Sequence, residues 1–325
     1  MPINKQPASS TAAALPRAIM FQATWNSGKS FLAASASKFY PPLPWVPSSP
    51  GNTKPADFPL VKLDDLFYHA WEPDCFAGFA DGGLAVPPHW DMSSVTGGEL
   101  DQTINAVCEE TAKRVKSGET RVVVVDTVSA FNTHAHALAM FGMLQATQGD
   151  DSQKALDGNM QKVWGAILSR HQRYMTGLLS ANPELIIFNV HPKVSDPNFR
   201  GAKSDTKGQQ LAAANQKAKG MGDTAALAPD ITGQAMGLYI RNCSIVAFIE
   251  NEVKSVPAPG KPGQFMKQTT RTLSPHKKDD VLARSKYSCL GEKEPADLRV
   301  IFDKIRKGGD PPTVSLQQTP GGTGG

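Results

Sequence analysis

Short, largely apolar runs recur along the chain at 18–21, 66–71, 121–126, 185–190 and 244–249. Runs of this length, rich in Val, Ile and Phe, predict buried strands of a sheet covered on both faces. The segments between them carry a different rhythm. Leu100, Ile104, Val107, Cys108, Thr111 and Val115 fall at helical spacing after a Thr96-to-Glu99 capping box. A longer stripe, Met160, Val163, Trp164, Ile167, Leu168, His171, Met175, Leu178 and Leu179, has Gln161, Lys162, Arg170 and Arg173 on its other side. Helices are also predicted at 31–39, 229–241 and 297–305. Residues 131–159 are poorly periodic and read as irregular, with His134 and His136 in a loop. Alternating strands and helices predict an α/β fold with a mostly parallel central sheet. The turn 256–263, rich in Pro and Gly, followed by 265–273, predicts an antiparallel C-terminal hairpin spanning 244–273.

Composition adjusts this picture only at the margins. The 325 residues are 40% apolar, enough for one large domain, read as 17–306 between tails at 1–16 and 307–325. Residues 40–59 read as an irregular loop. A net charge of +4 requires any nucleic-acid surface to be local. Two segments are locally basic: 193–220 has six basic residues against two acidic ones, and 254–286 has eight against two. Cys75, Cys108, Cys243 and Cys289 lie too far apart for a Cys-x-x-Cys site, which suits a reducing cytoplasm. No apolar run approaches the ~20 residues of a membrane span, so no membrane partner is expected.

Candidate chemistry clusters at the ends of the predicted strands. The run 18–21 leads into Ala23, Thr24, Trp25, Asn26, Ser27, Gly28, Lys29, Ser30 and Phe31. Strand, loop, Gly-Lys-Ser and helix is the order of a phosphate-binding loop, in which backbone N–H groups cradle phosphate oxygens. Lys29 would reach the terminal phosphates and the Ser30 hydroxyl would hold Mg2+. Ala23 stands where such loops open with Gly. The bland alternative is a strand-turn-helix with an exposed lysine. Glu72 follows the second strand, where ligands bind in open α/β sheets; it is either a water-activating carboxylate or a solvated loop acid. Asp126 ends the third strand and is expected in the Mg2+ shell, the alternative being an acidic strand cap. His191 ends the fourth, either touching the γ-phosphate or lying satisfied at the core edge. The segment 192–227 after it reads as a mobile basic loop, in which Lys193, Arg200, Lys203, Lys207, Lys217 and Lys219 would bind a polyanion.

With these pieces in order, the chain resembles the RecA-core P-loop ATPases, and among them the compact phage-encoded members of single-strand DNA annealing and recombination. The phosphate loop at 23–30, the strand ending in Glu72, the Val122-to-Ser129 stretch and the strand ending in His191 carry the likeness. Arg284 and Lys286 resemble, in reversed order, the Lys-x-Arg element that neighbouring subunits insert into each other's ATP site. The resemblance implies a RecA-like core and an oligomer, ring or filament, of the host cytoplasm. It also implies ATP and Mg2+ bound at Ser30 and Asp126, with Lys29, Glu72, Asp126, His191, Arg284 and Lys286 in catalytic roles. Single-stranded DNA and a replication or recombination protein are the implied partners. Two other readings stand beside it: an ATPase acting on protein partners, such as a helicase loader or motor subunit, and a weakly hydrolysing nucleotide switch.

Overall fold

The computed structural model describes residues 15–24, 27–40, 60–146, 153–195, 226–257, 264–276 and 282–308. Its strands are β1 (Ala18–Gln22), β2 (Leu66–Ala70), β3 (His89–Asp91), β4 (Val122–Asp126), β5 (Leu185–Val190), β6 (Pro192–Ser195), β7 (Ala226–Pro229), β8 (Ile245–Pro257), β9 (Phe265–Ser274), β10 (Arg284–Ser285) and β11 (Glu294–Pro295). The helices are α1 (Lys29–Ala34), α2 (Leu100–Lys116), α3 (Val128–Ala146), α4 (Gln153–Ala181), α5 (Gly233–Asn242) and α6 (Leu298–Gly308).

Among the described residues nine strands form one sheet in the order β11-β9-β8-β1-β5-β4-β2-β3, with β10 on β8; β6 and β7 form a separate antiparallel pair. From β3 to β8 every pairing is parallel. The β8–β9 hairpin and the two short strands beyond it are antiparallel. The expected mostly parallel sheet and C-terminal hairpin are therefore present, and β5 is inserted between β1 and β4.

Strand alternation divides the core into two layers. Ala18, Met20, Val123, Val125, Ile186 and Phe188 face a layer made with α2, α3, α4 and α5. Ile19, Phe21, Val122, Val124, Leu185 and Ile187 face the other, made with α1 and α6. Because both faces are covered, the strands read as unbroken apolar runs.

Three expectations are corrected. Residues 131–146 and 153–159 are helical, not irregular, the latter as the start of α4; on α3, Val128, Phe131, Ala135, Ala139 and Met143 are buried at three- and four-residue steps. Phe141 and Leu144 stay exposed on the same helix, so apolar residues on both faces blunt the period. His134 and His136 consequently lie on α3, packed against Trp71 and Trp164. The helix expected at 31–39 is regular only to Ala34 and then tightens into turns. Residues 226–229 are a strand, and the following helix starts at Gly233. The 192–227 segment begins and ends in the β6–β7 pair, while 40–59 lies almost wholly outside the described residues. All four cysteines are free thiols. Among the described residues no helix is long and apolar enough to cross a membrane.

Candidate active site

The C-terminal ends of β1, β2, β4 and β5 are adjacent, and each carries one of the expected polar residues. The loop after β1 closes at Gly28, whose φ of 86° is the left-handed conformation that glycine adopts without strain. Lys29 and Ser30 then begin α1. Tyr68 of β2 donates its hydroxyl to the Ser30 carbonyl at 3.0 Å, fixing this first turn against the sheet.

Lys29 is nearly buried. Its ammonium donates to the carbonyls of Ala23 and Thr24, both at 3.1 Å, and approaches His191 Nδ1 at 3.3 Å. Burial pulls its pKa below the ordinary lysine value, while Asp126 and Glu72 pull it back up. A lysine ammonium can only donate, so Nδ1 of His191 accepts, and its proton lies on Nε2. That proton reaches Glu72 Oε1 at 2.8 Å. Thr127 also donates to Oε1. Among the described residues the second oxygen, Oε2, accepts no hydrogen bond. Burial raises the Glu72 pKa, but the bonds from His191 and Thr127 outweigh it and hold the carboxyl below its usual value. The group is ionised at neutral pH with one oxygen to spare.

Asp126 behaves differently. It is fully buried, and desolvation lifts its pKa despite the Ser30 hydroxyl donated at 2.6 Å and the nearby Lys29 charge. A divalent cation is the natural remedy for a buried carboxylate beside a hydroxyl. Among the described residues the buried Ser27 hydroxyl has no hydrogen-bond partner, and the Asn189 amide, level with Asp126 in the β4–β5 register, lies close enough to help hold its carboxyl down but makes no well-formed bond. Orphaned polar atoms at a loop that can cradle phosphate fit a ligand bearing both donors and acceptors.

The structure thus brings Ala23, Thr24, Ser27, Gly28, Lys29, Ser30, Glu72, Asp126 and His191 together, with Phe31 the third residue of α1 and its ring against Phe79. Trp25 and Asn26 lie outside the described residues, as do Arg200, Lys203, Lys207, Lys217 and Lys219. Lys193 is paired with Asp230 at 3.1 Å. Arg284 and Lys286 are not at this end of the sheet. Ser285 pairs with Ile245, which is level with Ile19, so Lys286 lies at the opposite end of β1, beside Ser244. Arg284 donates to the carbonyls of Ile240 and Cys243, where α5 ends.

Three supporting residues come from the structure. Thr127 orients Glu72 and also accepts from the Ala130 amide, capping α3. Ser129 accepts from the His191 amide at 2.9 Å, locking β5 to the start of α3. Arg271 reaches the loop from β9. Thr127 and Ser129 were visible as hydroxyls after Asp126; nothing in the local sequence singles out Arg271 from the other cations of 254–286. No family model matches the chain, and no curated protein matches it.

Proposed function

We propose that the chain is an ATP-binding and ATP-hydrolysing protein with a RecA-like core, acting as an oligomer on single-stranded DNA in phage-type recombination, annealing or replication. The observation that carries this reading is the continuous line Lys29–His191–Glu72, set beside the Ser30–Asp126 contact. It supports a site where a phosphate-binding cation and a water-activating carboxylate are coupled through one imidazole. The insertion of β5 between β1 and β4 supports it too, because it puts His191 between the two.

In this reading the amides around Gly28 and the Lys29 ammonium would bind the phosphates, and Ser30 and Asp126 would hold Mg2+. The metal would neutralise charge developing on the transferred phosphoryl group. Glu72 accepts a proton from water at Oε2 while Thr127 and His191 keep its carboxylate oriented. Charge stabilisation and positioning do most of the work in such a site. His191 immediately precedes β6, so loss of its phosphate neighbour would be felt directly in the segment leading to the basic loop. Lys286, exposed at the far end of β1, is the cation available to a neighbouring subunit, since Arg284 is committed to its own α5.

Steady-state ATP hydrolysis, with and without single-stranded DNA and with Lys29→Ala as blank, tests the proposal. Stimulation by DNA is expected. Turnover indifferent to DNA would redirect it to a protein-directed ATPase, a reading favoured by the pairing of Lys193 with Asp230. Absence of turnover above the blank would overturn the enzymatic claim and leave a nucleotide switch.

A further inference from the structure

β9 overshoots the end of β1. Phe248 of β8 is level with Gln22, the last residue of β1. Arg271 pairs with Asn251, three residues further along β8. At about 3.3 Å per residue, that places Arg271 about 10 Å beyond the end of β1, at the height of the phosphate loop. Its facing follows from alternation. Leu273, two residues on, is buried in the layer containing Leu32 and Ala33 of α1, so Arg271 projects to the same face, over the start of that helix.

The side chain arrives where this geometry sends it. A β-carbon built on Gly28 would lie 2.7 Å from Cζ of Arg271 and 2.9 Å from its Nε and Nη1. The guanidinium therefore rests on the glycine that precedes Lys29. Among the described residues no carboxylate pairs with it, although Asp297 and Glu294 make ion pairs with other cations nearby in the chain. An exposed, unpaired guanidinium held against a phosphate loop has five donors and no anion.

We propose that Arg271 is a phosphate ligand acting in cis, contacting the polyphosphate of a nucleotide bound in the loop of its own subunit. The assignment rests on the nucleotide site proposed above and adds to it a residue from a separate structural element. The loop thus has two cations from one chain, Lys29 beneath and Arg271 above. A planar fork on the terminal phosphates favours the triphosphate over the diphosphate, because the last phosphate supplies its acceptors.

The test is equilibrium binding of mant-ATP and mant-ADP in the presence of Mg2+, on full-length wild type, Arg271→Ala, Arg271→Lys and Lys29→Ala. Arg271→Ala is expected to lose roughly tenfold in mant-ATP affinity, the scale of one charged hydrogen-bonded contact, and less for mant-ADP. Arg271→Lys should fall between, keeping charge without the fork. Mixing Arg271→Ala with Lys29→Ala, which offers an intact Arg271 from a neighbour, should restore nothing; restoration would overturn the cis assignment. Wild-type affinity in Arg271→Ala with affinity lost in Lys29→Ala would overturn the Arg271 role and spare the site. Undiminished affinity in Lys29→Ala would instead remove the nucleotide site and the proposal with it. A variant that keeps mant-ATP but loses single-stranded DNA would move Arg271 to a DNA surface.

Discussion

Two buried polar networks lie within the same fold and have opposite characters. In the layer beneath α2 and α4, Trp71 donates to the Tyr174 hydroxyl at 3.2 Å, and that hydroxyl meets His69 Nδ1 at 2.6 Å. His69 Nε2 then meets Thr111, which donates to the Val107 carbonyl. Each donor has an acceptor and the chain ends on the backbone. His171 sits likewise between Tyr239 and Asn132. Burial pushes both imidazoles down to about 3, so they are neutral, with no charged group to answer. At the sheet end, His191 instead joins a lysine to a carboxylate, and the carboxylate keeps an unclaimed oxygen. A buried histidine is ordinary packing when its partners are neutral and the hydrogen bonds close. Ionised partners and leftover acceptors mark the place where chemistry can occur.

Breaking the charged network should abolish function with little loss of fold. Lys29→Ala removes the cation shared by Glu72 and Asp126; nucleotide turnover is expected to fall by about 10²–10³ or more, the scale of losing one preorganised charge. Phosphate release assays would show it, with the melting temperature as control.

Acid should break the neutral network. His69 and His171 have native pKa values below the unfolded value of 6.5, so the unfolded chain binds more protons as pH falls below about 6.5. Their contribution opposes stability increasingly from there down towards pH 3, by up to several kcal/mol. Denaturant unfolding across this range would measure it. Stability unchanged between pH 6.5 and 4 would contradict the assignment of both histidines.

Thr127→Val sharpens the comparison by a smaller step. It removes one of two bonds holding Glu72 below its ordinary pKa. Turnover should fall about tenfold, and the acidic limb of its pH profile should move upward. The lost α3 cap should cost about 1 kcal/mol. An unmoved limb would mean that Glu72 does not titrate in the reaction.

The sheet and the ends of its central strands were legible because both depend on local sequence. An unbroken Val122–Val125 run can only be buried on both faces, and the residue that follows it must emerge at the edge. The meeting of Glu72, Asp126 and His191 at one end of the sheet, with Lys29 just beyond β1, could be read in this way. Arg271 could not, because its position depends on how far β9 overshoots β1, a property of long-range register. Arg284 depends on long-range register in the same way: its surroundings in sequence are basic, and β10 pairing brings its side chain to the carbonyls at the end of α5. The helix α3 escaped notice since two of its five core positions are alanine and its outer face carries Phe141 and Leu144.

The most direct test measures ATP turnover and melting temperature together on Glu72→Gln and Tyr174→Phe. Glu72→Gln should lose turnover by about 10²–10⁴ while retaining its melting temperature. Tyr174→Phe leaves His69 Nδ1 and the Trp71 indole N–H without a partner, costing about 1–3 kcal/mol of stability, and should retain turnover below its melting range. Opposite responses would confirm that one network does the chemistry and the other holds the fold. Retained turnover in Glu72→Gln, or a loss confined to Tyr174→Phe, would contradict the account.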